Sequence, residues 1–485
     1  MARAASDRPL LDYHGHAGAF RPSHVEVAVM GVVAKDMSSL ISSTRRKVVV
    51  GLGVTGLSVA RYLARQGEEF SVVDTREEPP GLEQLRDELP HVPVMLGNNV
   101  QDVLDTAAEL IVNPGISIDE PWLKQAVDAG AKLCGDIDLF VAAAKAPVIG
   151  ITGSNAKSTV TEMLGAMIKG AGYRVGVGGN LGVPALDLLS DDNEFYVLEL
   201  SSFQLERASA LNLEVATVLN VTPDHLDRHG SMPRYHQAKH RIFNGSRQVV
   251  FNLDDPLTIP PLAADRSQVS WRLGEPDLHG FGLRDIDGEA TLVKGFEPLI
   301  KAADLALPGQ HNIANALAAL ALGSTIDLPV KGMVEVLRSF PGLEHRCELV
   351  LDHDGVRWIN DSKATNVGAA LAAIEGLGTS HRLILIAGGR DKDADFRALK
   401  PAVAKHCDRV LLIGEASDAM AIALDDTSEL VCAGTLENAV GLARDSAKPG
   451  NIVLLSPACA SFDQFDSYVA RGECYKRLVL GAFDS

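Results

Sequence analysis

Cysteine is scarce in this 485-residue chain: Cys134, Cys347, Cys407, Cys432, Cys459 and Cys474 are scattered, with no CxxC pair. That pattern argues against a disulfide framework and reads as reduced thiols in a cytoplasmic protein. Basic residues are also short, 45 Lys and Arg against 63 Asp and Glu, a net charge of −18. A chain this acidic is a poor binder of nucleic acid or anionic membrane. Any anionic ligand must be held by local features: helix N-termini, glycine loops, single lysines. Apolar runs are short as well, and none approaches the ~18 residues of a membrane span. The run Val25–Ala34 includes Glu26, which argues against a signal peptide. Short-period repeats and low-complexity tracts are absent. What remains, 46% apolar and 22% charged residues, is an ordinary globular mixture long enough for about three domains.

Residues 1–36 show no strand–helix rhythm and read as an extension with little fixed structure, Met37 being a natural start. From Lys47 onward short apolar strands alternate with helical stretches. Lys47–Val50, Phe70–Val73 and Leu110–Val112 read as strands, and Leu57–Gln66 as a helix with apolar residues at i, i+3 and i+4. The rhythm restarts at Val148–Ile151 and again at Val356–Ile359. The pattern predicts parallel α/β sheets in three domains, 37–135, 136–341 and 342–485, with turn residues near Gly135 and at Phe340-Pro341-Gly342 marking the boundaries.

Two glycine loops carry the chemistry. Gly51-x-Gly53-x-x-Gly56 follows a strand and opens a helix, with Asp74 at the end of the next strand. Such a loop lets a diphosphate approach backbone N–H groups at a helix N-terminus. By itself it does not separate NAD from a nucleotide sugar. The second loop, Gly150-Ile-Thr-Gly153-Ser-Asn-Ala156-Lys157-Ser158-Thr159, places a lysine and hydroxyls at a helix start, a phosphate and Mg²⁺ arrangement. Its spacing departs from GxxxxGK[ST], and Ala156 stands where glycine usually precedes the lysine. Alanine is expected there only with negative φ. Glu199 near one strand end and Asp224-His225-Leu226-Asp227 after another suit Mg²⁺, which keeps few protein ligands. The C-terminal third offers polar loops after strands: 360–366, 388–392 and 456–461.

The segments GITGSNAKST, VGGNLGVPAL, VLELSSFQLE, NVTPDHLDRH, GQHNIANALAALAL, WINDSKATN and LSPACASFDQF resemble the Mur ligase family of cell-wall synthesis, over roughly Met37 to the C-terminus. SSFQLE, NDSKATN and SPACAS favour the D-glutamate-adding member. The resemblance implies a Rossmann-like N-terminal domain, a central P-loop-type ATPase domain and a Rossmann-like C-terminal domain. It implies ATP-dependent addition of D-glutamate to UDP-N-acetylmuramoyl-L-alanine, with two Mg²⁺ ions, in a cytoplasmic monomer. The first glycine loop would then hold UDP through Val54, Thr55, Asp74, Thr75 and Arg76, with Asn113 and Gly115 continuing the site. Asn180 and His225 would reach the substrate or metal region. Gly153, Asn155, Lys157, Ser158 and Thr159 would hold ATP phosphates, and Asn312, Asn315, Arg346 and Asp361 the nucleotide. Ser158, Thr159 and Glu199 would serve the first Mg²⁺, and His225 the second. Lys239, in Tyr235-x-x-x-Lys239, matches a lysine that the family carbamylates; on spacing alone it reads as a surface helix lysine. Thr365, Lys392, Ser461 and Tyr468 would form the D-glutamate pocket. Three rivals remain: a nicotinamide-dependent dehydrogenase built on the Gly51 loop, a non-enzymatic nucleotide-sensing protein, and a sister ligase adding another amino acid.

Overall fold

The structure, a computed structural model, describes residues 46–97, 100–180, 182–261, 266–379, 381–391 and 394–481. The readings made for residues 1–36, Met37 and Lys392 lie outside the described residues.

Three sheets follow one another along the chain. The first contains β1 (Lys47–Val50), β2 (Phe70–Asp74), β3 (Val94–Leu96), β4 (Glu109–Val112) and β5 (Lys132–Cys134), all parallel, in the order β3-β2-β1-β4-β5. Val48, Val49 and Val50 are buried because helices cover both faces of the sheet, which is why the strand reads as an unbroken apolar run. The order reverses at β1, so its C-terminal end, where the first glycine loop begins, is a crevice. Helix α1 (Val54–Arg65) starts there. A Cβ added to Gly56 would lie 2.0 Å from the Gly51 carbonyl oxygen, so only glycine lets α1 pack this tightly on β1.

The second sheet contains β6 (Val148–Thr152), β7 (Val175–Gly179), β8 (Phe195–Glu199), β9 (Val215–Val218), β10 (Gln248–Asn252), β11 (Ser267–Trp271), β12 (Phe281–Ile286), β13 (Glu289–Lys294) and β14 (Glu297–Lys301). Its order is β14-β13-β12-β11-β10-β9-β6-β8-β7. Helices α2 (Lys157–Gly170) and α4 (Gln310–Thr325) bury apolar faces in one core with β6, β9 and β10. Helix α3 (Met232–His240) lies beyond β9.

The expectation of parallel sheets needs correction at two sheet edges, in this sheet and at β15 (Glu348–His353) of the third. Strands β12 to β14 are an antiparallel meander on the sheet edge. Its first turn is Asp287-Gly288, both at positive φ, the geometry a two-residue hairpin demands.

The third sheet contains β15 (Glu348–His353), β16 (Val356–Asn360), β17 (Arg382–Gly388), β18 (Cys407–Ile413), β19 (Glu429–Gly434) and β20 (Asn451–Leu455) in the order β15-β16-β20-β17-β18-β19, with only the edge strand β15 antiparallel. Helices α5 (Val367–Gly378) and α6 (Tyr468–Gly481) flank it. The polar loops after β16, β17 and β20 therefore leave adjacent strand ends.

Candidate active site

The loop after β6 is held from below by the loop after β9. Ser154 N donates to Asn220 O at 2.9 Å, and Asn155 N to Asn220 Oδ1 at 2.8 Å. Ser154 Oγ donates to Thr222 O at 2.8 Å, accepts Thr222 N at 2.9 Å and meets Tyr235 Oη at 3.0 Å. Two strand-end loops are thereby fixed to each other and to α3. Ala156 closes the loop with φ +68 and caps α2. The expected negative φ is overturned: the tight entry into α2 needs a left-handed residue, and alanine adopts that conformation at a cost of about 1–2 kcal/mol.

Lys157 Nζ donates to Gly153 O at 2.9 Å and to Ser154 O at 3.1 Å. Burial lowers its pKa from the ordinary lysine value, against the pull of Glu199 and Asp224. Ser158 Oγ donates to Glu199 Oε2 at 2.6 Å, and Asn180 Nδ2 to Glu199 Oε1 at 2.7 Å. The carboxylate at the end of β8 is thus aimed at the start of α2.

Lys239 corrects the reading from spacing. It is 1% exposed, its Nζ donates to Gly153 O at 2.8 Å, and the ammonium lies over the Tyr235 ring at 4.5 Å. It points inward because Tyr235, one turn earlier on α3, covers it. Burial first, and then the nearby Lys157 charge, push its pKa well below the ordinary lysine value.

His225 adopts φ +53 and packs edge-on against Phe203 at 4.8 Å. Its Nε2 lies 3.6 Å from Asp224 Oδ2. The SSFQLE segment that contains Phe203 is a capping box: Ser201 Oγ accepts Gln204 N at 3.1 Å, and Gln204 Oε1 accepts Ser201 N at 3.1 Å.

A cavity of about 230 Å³ is lined by Asn155, Lys157, Ser158, Thr159, Asn180 and Glu199 from the second sheet, and by Arg346, Lys363, Thr365 and Tyr468 from beyond it. Residues assigned from sequence to phosphate and to amino acid therefore share one space. Lys363 Nζ reaches Tyr468 Oη at 3.3 Å. An adjoining apolar cavity of about 200 Å³ contains Asn315, Arg346, Trp271 and His311, whose pKa burial lowers to about 4. Asn312 and Arg346 line a third, of about 560 Å³. Asp224, His225, Thr365 and Asn366 line a fourth, of about 490 Å³.

Asp361 and Ser461 line none of these four spaces. Asp361 is buried, with its oxygens accepting Ser456 Oγ at 2.8 Å and Cys347 N at 3.2 Å, and burial raises its pKa. Ser461 is also buried.

The residues around the first glycine loop line none of these four cavities. Asp74 Oδ2 accepts Leu52 N and Arg76 Nη2, each at 2.7 Å, while its Oδ1 accepts Arg76 N and Arg76 Nε, each at 2.9 Å. Burial alone would raise the Asp74 pKa, but these donors outweigh it and hold it below the ordinary value. Val54 is exposed, and Asn113 Oδ1 accepts Gly115 N at 3.1 Å.

Sequence reasoning missed the link between this site and the next. Arg207 donates to Val112 O at 3.0 Å and Ile116 O at 2.8 Å. Arg228 donates to Gly115 O at 3.3 Å and Ile116 O at 2.8 Å. Two arginines of the second unit thus hold the turn after β4. Arg228 lay in plain view three residues beyond His225. Arg207, one residue past SSFQLE, carried no signal.

Residues 45–135 match the Mur ligase MurD-like N-terminal domain, 151–323 the Mur ligase middle domain and 345–459 the Mur ligase glutamate ligase domain. UDP-N-acetylmuramoylalanine–D-glutamate ligase of Pseudomonas fluorescens Pf-5 is 53% identical over 443 residues, 91% of this chain and 99% of the relative. The ligase of the same description from Pseudomonas aeruginosa is 52% identical over 443 residues, with the same coverage. Among solved structures, UDP-N-acetylmuramate-alanine ligase of Thermotoga maritima aligns with a TM-score of 0.58 at 18% identity, covering 90% of this chain and 99% of that one, a likeness of fold.

Proposed function

The chain belongs to the Mur ligase family, and from that premise we infer that it joins D-glutamate to UDP-N-acetylmuramoyl-L-alanine at the expense of ATP, in peptidoglycan precursor synthesis. The identity to D-glutamate ligases over 91% of the chain supports the substrate. The observation that carries the chemistry is the single cavity in which Lys157, Ser158 and Glu199 face Thr365 and Tyr468. A carboxylate is a poor electrophile, so amide formation needs it activated and brought to the amine in one enclosed space. The six cysteines are unpaired, which suits a reducing compartment, and we place the enzyme in the cytoplasm as a monomer of three units, 37–135, 136–341 and 342–485.

The Ser158 hydroxyl and Glu199 carboxylate fit Mg²⁺, a hard cation that takes one or two carboxylates and completes its shell with water and substrate oxygens. Among the described residues no three His, Cys, Asp or Glu side chains gather as a metal cage, so further oxygens must come from elsewhere. A carbamate on Lys239 would supply them, and burial, which lowers the pKa of its amine, favours the neutral form that adds CO₂ with loss of a proton. His225, which lines the neighbouring 490 Å³ cavity with Thr365, is the candidate for the second ion. Mg²⁺ held there neutralises phosphate charge.

The protein's own part is to bind, orient and enclose. Lys157 and the loop N–H groups hold the ATP phosphates. Asn312, Asn315 and Arg346 hold the nucleoside side. Asp74, Arg76 and the Asn113 turn hold the uridine diphosphate and so set where the alanyl carboxylate arrives. The γ-phosphoryl group passes to that carboxylate with release of ADP. The D-glutamate amine, oriented by Thr365 and Tyr468 and, as the resemblance implies, by Lys392, attacks the acyl phosphate, and phosphate leaves as the amide forms.

Phosphate release measured with ATP, UDP-N-acetylmuramoyl-L-alanine and each amino acid in turn tests this reading. Release should require D-glutamate. Turnover with L-alanine or a diamino acid instead would mean a sister ligase, and NADH oxidation without ATP use would mean a dehydrogenase.

A further inference from the structure

Asn366 ends the loop after β16 and caps α5: its Oδ1 accepts Ala369 N at 2.9 Å. That bond fixes which end of the carboxamide faces outward. The outward end is the Nδ2 group, whose two hydrogens need two acceptors. One is donated to Asn155 Oδ1 and the other to Asp224 Oδ2, each at 3.1 Å. Asn155 belongs to the phosphate loop, and Asp224 to the loop after β9. Asn155 is itself fixed, by Asn220 through its backbone and by Thr222 Oγ1 at 3.4 Å from its Nδ2. At Gly368, an added Cβ would lie 3.2 Å from Asn155 Nδ2 and Thr222 Oγ1, so the start of α5 seats closely on these same loops.

We propose that Asn366 is a positioning residue, a latch that holds the third unit on the second only when the phosphate loop and the Asp224 loop are in register. This rests on reading the shared cavity as the ATP and D-glutamate site. Its neighbour Thr365 lines both the 230 Å³ and the 490 Å³ cavities. The latch therefore sets where the amine-bearing substrate lies relative to the activated carboxylate. The carboxamide is required because it accepts at one end and donates twice at the other. Aspartate would cap α5 equally well but would turn an oxygen toward Asn155 Oδ1 and the Asp224 carboxylate.

Asn366→Asp tests this, because cap and volume are kept. The kcat for D-glutamate-dependent phosphate release should fall at least about tenfold, with a raised KM for D-glutamate, since small misplacement of reacting groups is costly. The melting temperature should stay near that of wild type. Asn366→Ser, which caps but is too short to span both loops, should share the loss and serves if the aspartate variant fails to fold. In an Asp224→Asn background the added carboxylate meets a donor, so the Asn366→Asp loss should shrink. A kcat within about twofold of wild type, or an equal loss in both backgrounds, overturns the latch. Failure of the site reading would show differently, as no D-glutamate-dependent release from wild type. Small-angle scattering of the substrate-free protein reads the latch without turnover. Asn366→Asp should give a larger radius of gyration, and superimposable curves would overturn the proposal.

Discussion

Lys157 and Lys239 direct their amines at one oxygen, the Gly153 carbonyl, at 2.9 and 2.8 Å. Two ammonium groups on one acceptor repel each other, and the more enclosed of the two is the one whose proton is held least firmly. Burial and the Lys157 charge take Lys239 well below the ordinary lysine range, while Asp224 and Glu199 only partly offset them. The loop thus gathers two lysines of unequal burial on one carbonyl, and on the function proposed above Lys157 would serve the phosphates and Lys239 the carbamate.

Lys239→Ala should therefore cut kcat steeply, by about 100-fold or more, because a lost oxygen donor at developing charge is worth several kcal/mol. Circular dichroism should show the fold retained. A short carboxylic acid added to this variant should restore part of the rate by occupying the vacated space. Lys239→Glu should recover little, since its oxygens sit nearer the backbone. Near wild-type turnover of Lys239→Ala would end the carbamate reading.

Much of this was legible in the sequence, and for identifiable reasons. The glycine loops, Glu199 and the Asp224-His225 pair stand at strand ends, and parallel strands announce themselves as short apolar runs. Lys239 was not legible as a buried group. Its burial depends on Tyr235 folding over it and on Gly153 lying 86 positions earlier in the chain, which no helical period reports. The β12 to β14 meander was overlooked although Asp287-Gly288 marked its turn. Asn366 looked like one more polar loop residue, because its partners Asn155 and Asp224 come from a different sheet.

Asp74 should matter to one substrate and not to the other. It ties Leu52 N to Arg76 at the mouth of the first glycine loop, far in the chain from Lys157. Asp74→Ala should raise KM for the UDP substrate by about tenfold, the loss of one charge-assisted hydrogen bond, and leave KM for ATP nearly unchanged. Equal effects on both, measured by initial rates, would move the UDP site elsewhere.

The same carboxyl gives a pH dependence of defined sign. Its folded pKa lies below its ordinary 3.8, so it contributes stability that is fully present above that value and is lost as pH falls through the depressed one. Asp74→Asn should lower stability near neutrality and flatten the acid limb of the unfolding curve. An acid limb unchanged by that substitution would mean that Asp74 is not the group responsible.

Ala156 offers a test in which activity and stability separate. Its φ of +68 is a conformation that alanine adopts at a cost of about 1–2 kcal/mol and glycine at almost none. Ala156→Gly removes that strain but also gives the unfolded chain more freedom, worth about 0.4–1 kcal/mol in the other direction. The net expectation is a gain of about 0.5–1 kcal/mol, seen as a melting temperature a few degrees higher. Ala156→Val should do the reverse and more, since a β-branched side chain is poorly accommodated at positive φ. Turnover of the glycine variant should be close to that of wild type, because the backbone path into α2 and the place of Lys157 are unchanged. A lower melting temperature for Ala156→Gly, measured by calorimetry, would mean that the alanine methyl makes contacts worth more than the strain it causes. The loop would then be stabilised by packing at the position where its backbone geometry calls for glycine.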